Sequence, residues 1–145
     1  MNTSIENQLR EQGFHVSTTV GHSMRPMLRD RCDRVIIKPL GTERLKKYDL
    51  PLYRLPDGRY VLHRVVGVRD DHYLIRGDNT YQLEKIPDAW ILGVVTEFYR
   101  NDRHYSATDK RYRRYAALWN TIYPIRFAWV RFRTAASKIK HKILK

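Results

Sequence analysis

The chain has 145 residues, one cysteine, six histidines and a formal net charge of +13. That length suits one compact domain with room for an appendage; the lone Cys32 excludes an internal disulfide, and histidines scattered around one cysteine exclude a zinc-type ligand set. No glycine-rich phosphate loop is present, so neither a metal nor a cofactor is expected.

Residues 4–12 read as a short helix, with Ser4 as its cap, Ile5 and Leu9 on one face and Gly13 as the stop. The Met1 end has neither a basic start nor an apolar run, so no secretory signal is expected. Phe14 to Val20 is β-prone and leads into Gly21-His22-Ser23-Met24-Arg25-Pro26, where a glycine free to take positive φ and a proline of fixed φ predict a sharp, rigid turn. Met27 and Leu28 are expected in the core, as is Cys32, read as a small apolar residue rather than a reactive thiol. Val35-Ile36-Ile37 reads as a buried strand.

Pro51 predicts a sheet edge or a bulge, since proline cannot donate to a ladder. Pro56-Asp57-Gly58 is a turn that makes residues 50–55 and 59–68 a hairpin, with His63 in the middle of its second arm. Tyr73-Leu74-Ile75 forms the next strand, Gly77-Asp78-Asn79 the loop leaving it, and residues 90–98 a closing strand. The fold class expected is mainly β, a small barrel or coiled sheet, with a basic amphipathic helix at the C-terminal end.

The charge belongs to that end. Residues 100–145 hold 13 of the 28 Lys/Arg but 2 of the 15 Asp/Glu, so the body is nearly neutral and the tail is a cation. Tyr112, Tyr115, Trp119 and Ile122 follow helical spacing, and after Pro124 so do Ile125, Trp129, Phe132, Ala136, Ile139 and Ile143. At ~100° per residue the last six fall within about 40° of one line, while Arg126, Arg131, Arg133, Lys138, Lys140, Lys142 and Lys145 occupy the rest of the circumference. Apolar runs here are broken by Asn120, Pro124 and Arg126, so no membrane span is expected. Three destinations fit the stripe, in this order: docking on an anionic membrane surface, favoured by Trp119, Trp129 and the arginines flanking them, packing on the domain's own sheet, and stacking on nucleic acid.

Ser23, held out on a turn, is a candidate nucleophile, and a serine needs a base and a group to orient that base. His63 is the candidate base, because Val61, Leu62, Val65 and Val66 give it an apolar wall that favours the neutral imidazole. Asp78 is the candidate orienting acid, and Glu84 a lesser one.

In this order, Ser23-Met24-Arg25-Pro26-Met27-Leu28, then His63-Arg64-Val65-Val66, then Gly77-Asp78-Asn79, the chain resembles the signal peptidase I family, and within it the branch that uses histidine as base. The resemblance spans residues 14–99. It implies a catalytic domain, placed at 1–100 ahead of the basic tail at 101–145 that charge and period mark off, and a serine endopeptidase that removes a leader or signal-type segment from an extended peptide or preprotein substrate. Ser23, His63 and Asp78 would be its catalytic residues. Two departures stand out: the residue two before the serine is Gly21, where relatives often carry an oxyanion-stabilising hydroxyl, and residues 4–12 are polar where relatives carry a membrane anchor. The expected location is therefore cytoplasmic or peripheral on the cytoplasmic membrane face. Self-cleaving repressor peptidases are also similar, but use a neutral lysine where this chain has Arg64 and need a DNA-reading domain for which the twenty-odd residues before Ser23 leave no room. A peptidase-like binding protein with weak turnover, or a basic nucleic-acid-binding protein, are the alternatives.

Overall fold

The structure, a computed structural model, describes residues 4–143; Met1 and Lys145, used above, lie outside them. The chain runs through helix α1 (Ile5–Gln12) and strands β1 (His15–Thr18), β2 (Arg34–Lys38), β3 (Pro51–Arg54), β4 (Tyr60–Leu62), β5 (Arg64–Val68), β6 (His72–Arg76), β7 (Glu84–Pro87), β8 (Ile91–Arg100) and β9 (Arg103–Ser106). Helices α2 (Lys110–Thr121) and α3 (Tyr123–Ile143) follow. The protein is mainly β with helices at the C-terminal end. One sheet, ordered β1-β2-β8-β3-β4 with β9 on β8, curls into a half-barrel, and β5-β6-β7 form a second sheet.

Local chemistry explains the ends of α1. The Ser4 hydroxyl accepts from the Asn7 N–H, and Gly13 closes the helix at φ +78°. Glu6 then staples the helix to the β3–β4 hairpin, accepting from Arg54 at 2.9 Å and from the Tyr60 hydroxyl at 2.7 Å. That hairpin turns where Pro56-Asp57-Gly58 predicts, with Gly58 at φ +93°.

Four expectations change. The 59–68 arm is not one strand: it breaks at His63, so β4 belongs to the half-barrel and β5 to the second sheet. Of the two places expected for Pro51, the edge is wrong, because β3 lies between β8 and β4, and the bulge fits, because it heads the strand one residue ahead of a register shift at Leu52/Tyr53. A strand's first position tolerates a missing donor. Strands β7 and β9 had no sequence signal, since Glu84-Lys85-Ile86-Pro87 and Arg103-His104-Tyr105-Ser106 are too polar for the β-rich pattern. Cys32 is exposed, on the turn before β2, and the inward position beside it is taken by Asp33.

Asp33 clamps the long loop that carries Ser23. Its buried carboxylate accepts from the Arg29 backbone at 2.8 Å and from the Arg29 guanidinium at 3.1 and 2.7 Å, and its carbonyl accepts from the Thr19 N–H at 3.0 Å. Two apolar clusters fill the interior. One gathers Met24, Met27 and Leu28 with Val35, Phe98 and Tyr112; the other gathers Tyr53, Val65, Tyr73 and Ile75.

The tail divides. Helix α2 is capped by the Asp109 carboxylate and packs on the body, burying Tyr112 and Ala116. Helix α3 buries none of its described residues, and Ile125, Trp129, Phe132, Ile139 and Ile143 are each more than half exposed. Packing on the domain's own sheet is therefore the fate of the first aromatic stripe, not of the second.

Burial pushes the Asp33 carboxyl up, but the Arg29 hydrogen bonds and charge outweigh it and hold the group below the ordinary range. A carboxyl depressed in the folded state adds stability above its unfolded pKa of about 3.9, and this is lost as pH falls through the lower folded value. Urea midpoints measured from pH 7 down to pH 2.5 are expected to fall for the native chain and to fall less steeply for Asp33→Asn.

Candidate active site

Ser23 and His63 line one cavity of about 260 Å³. Its walls are Met24, Leu28 and Leu52, and its rim is formed by residues 17–21 on one side and 60–62 on the other. Among the described residues no hydrogen bond joins the Ser23 hydroxyl to His63; what they share is the cavity. Ser23 is half-buried and is held through its backbone, its carbonyl accepting from the Asn79 N–H at 2.8 Å while the Asn79 amide donates to the His22 carbonyl at 3.1 Å. Gly77 makes this approach possible. A Cβ there would lie 2.7 Å from the Ser23 carbonyl oxygen. Gly21, at φ +92°, has the positive φ expected of it and donates its N–H to Asp30 at 2.7 Å; Arg25-Pro26 is a cis peptide.

His63 sits where the chain passes from one sheet to the other. Its Nδ1 lies 3.3 Å from a Glu84 carboxylate oxygen and 3.3 Å from the Tyr53 hydroxyl, which itself donates to that same Glu84 oxygen at 2.6 Å. Burial, then the bond to Glu84, push the Tyr53 hydroxyl well above the ordinary phenol range, so it stays a donor. With its one proton given to Glu84, Tyr53 can offer Nδ1 only a lone pair, and Glu84 likewise only accepts. Both neighbours of Nδ1 are thus acceptors, which places the imidazole proton on Nδ1 and leaves the Nε2 lone pair free, the tautomer a general base needs.

Asp78 is not the acid at His63. Its carboxylate is buried against Arg64, accepting from Nε at 2.7 Å and Nη2 at 2.9 Å, with the Tyr115 hydroxyl at 3.3 Å. The reason is alternation along the backbone: His63 faces the cavity, so the next residue, Arg64, faces the interior, and a cation with no solvent exposure must take a carboxylate with it. Its remaining donors are also used. Nη1 reaches the Tyr48 carbonyl at 3.0 Å and the Tyr112 hydroxyl at 2.8 Å, and Nη2 the Met27 sulfur at 3.0 Å.

Register explains why Glu84 reaches the histidine instead. Glu84 pairs with Ile75, and Ile75 with Val65, so the carboxylate shares a sheet face with residues two positions beyond His63 and emerges at the rim of the Tyr53 cluster. The fourth participant, Tyr53, carries no sequence signal beyond an aromatic in a strand. The Asp78 loop is also braced from the tail, its carbonyl accepting from Trp119 Nε1 at 2.8 Å and Arg126 Nη1 at 3.0 Å. Among the described residues no group of three or more His, Cys, Asp or Glu side chains is arranged to hold a metal ion.

No protein-family model matches the chain, and no curated protein matches its sequence.

The two carboxylates are predicted to fail differently. Asp78→Asn strands a buried guanidinium and should cost about 3–5 kcal/mol in urea unfolding. Glu84→Gln, at a partly exposed site where the amide oxygen still accepts from Tyr53, should cost less than about 1 kcal/mol.

Proposed function

We propose that the chain is a serine endopeptidase similar to signal peptidase I of the histidine type, removing a leader or signal-type segment from a peptide or protein substrate. Supporting it above all is the opening of Ser23 and His63 onto one cavity, with an acid-bound Nδ1 behind the histidine. The three sequence blocks that carry the resemblance supply the nucleophile, the base and the brace of the nucleophile's turn. The acid in this reading is Glu84 rather than Asp78.

Ser23 Oγ attacks the scissile carbonyl carbon, and its proton passes to His63 Nε2. Glu84 stabilises the imidazolium that forms, while Tyr53 holds the Glu84 carboxylate in place. Collapse of the tetrahedral adduct breaks the C–N bond, the His63 proton leaves with the amine, and water activated by the same nitrogen releases the acyl group. The developing oxyanion is met by the Ser23 N–H, which donates to no acceptor among the described residues; the Gly21 N–H is committed to Asp30.

The substrate is an extended peptide. Strands β1 and β4 end the β1-β2-β8-β3-β4 order of the half-barrel and both flank the cavity, so a peptide laid between them adds to a strand edge while its side chains reach the apolar wall.

A fluorophosphonate probe is expected to label the native chain at Ser23, located by mass spectrometry, and not to label Ser23→Ala. Labelling should slow by roughly 10²–10⁴-fold in His63→Ala and in Glu84→Gln, whose amide cannot stabilise the cationic ring. Equal labelling of the native chain and the His63 variant would remove the base role, and no labelling of the native chain would leave a peptide-binding protein without turnover.

A further inference from the structure

Helix α3 presents an apolar stripe that the described residues leave uncovered. The opposite face holds the helix to the body, with Tyr123 stacked on Tyr81 at 5.7 Å between ring centres and Phe127 tilted against the same ring at 5.8 Å. The stripe of Ile125, Trp129, Phe132, Ile139 and Ile143 therefore points outward, 59–76 % exposed at every position. The helix runs for 21 residues, about 32 Å at 1.5 Å per residue. Among the described residues no helix is long and apolar enough to cross a membrane.

Charge completes the pattern. Helix α3 carries six Lys/Arg and no acidic residue. At ~100° per residue those cations lie about 60–140° from the stripe, Arg126, Arg133 and Lys140 on one side and Arg131, Lys138 and Lys142 on the other. Two cationic rows bordering an apolar stripe suit a surface that is anionic in one plane and apolar just beneath it: the stripe sinks to the acyl boundary while the long basic side chains reach back to the headgroups. Trp129, 59 % exposed within the stripe, is a residue that favours that interface.

We infer that α3 docks the protein on an anionic lipid bilayer, lying in the plane of the interface with Trp129 and Phe132 inserted. The docked helix stays tied to the cavity, because Arg126 and Trp119 hold the Asp78 carbonyl and the next residue, Asn79, holds the Ser23 carbonyl. Docking needs no catalysis, so it stands or falls apart from the peptidase reading.

The test is co-sedimentation of the full chain with vesicles of phosphatidylcholine alone and with about one-third phosphatidylglycerol, over a salt series. Binding to the anionic vesicles is expected to exceed that to neutral ones at least about tenfold and to weaken with salt. Trp129→Ser/Phe132→Ser, both exposed, should lose most of the binding while urea unfolding is unchanged. Retention of full binding by that variant would reduce the contact to charge alone and overturn the insertion. Tighter binding at equal salt to a single-stranded RNA of about 20 nucleotides, or a vesicle-free dimer that the same variant dissolves, would overturn the lipid assignment.

Discussion

A guanidinium sealed from water sits behind the cavity, and its needs organise what surrounds it. Arg64 has five N–H donors, and the structure supplies an acceptor for each from Asp78, Tyr48, Tyr112 and Met27. Those acceptors come from the loop after β6, the segment before β3, helix α2 and the serine loop. Removing an ion pair from water costs several kcal/mol per ion, and such a pair is tolerable where every lone pair and proton finds a partner. Meeting that condition brings four distant segments to one point. Asp78 is thereby placed so that the adjoining Gly77 and Asn79 receive the Ser23 carbonyl.

His63 depends on the same anchor from the other side. Successive residues of an extended chain point opposite ways, so burying Arg64 turns the imidazole toward the cavity. The switch of sheets at this point lets one strand end beside the serine while the next begins in the second cluster. Behind the ring, Glu84 and Tyr53 form a closed set in which a single phenolic proton decides the tautomer of the imidazole. The two carboxylates thus have separate work: Asp78 neutralises a structural cation, and Glu84 faces the histidine.

The C-terminal helices show one periodicity with two fates. Tyr112, Tyr115 and Trp119 meet the body, and two of them carry hydroxyls that end on the Arg64–Asp78 pair. Past the Tyr123–Phe127 stack the helix leaves the body, and among the described residues nothing covers its apolar side. An apolar stripe at 3.6-residue spacing specifies a helix that wants a partner; it does not say whether the partner belongs to the same molecule.

Much of this was legible in residue order. The Ser4 and Gly13 stops of α1, the Pro56–Gly58 turn, the loop at Gly77, the positive φ at Gly21 and the helical period after Thr108 are local, since each follows from what one residue permits its own backbone. Candidates for the site were legible too, down to two carboxylates, Asp78 and Glu84. Which of them meets His63 was not, because that depends on strand register across β5-β6-β7 and on a buried arginine claiming the first. The polar strands β7 and β9, the exposure of Cys32, the interior place of β3 and the part of Tyr53 were likewise settled by neighbours far along the chain. Backbone preference is written residue by residue, whereas charge compensation and burial are properties of what folding brings together.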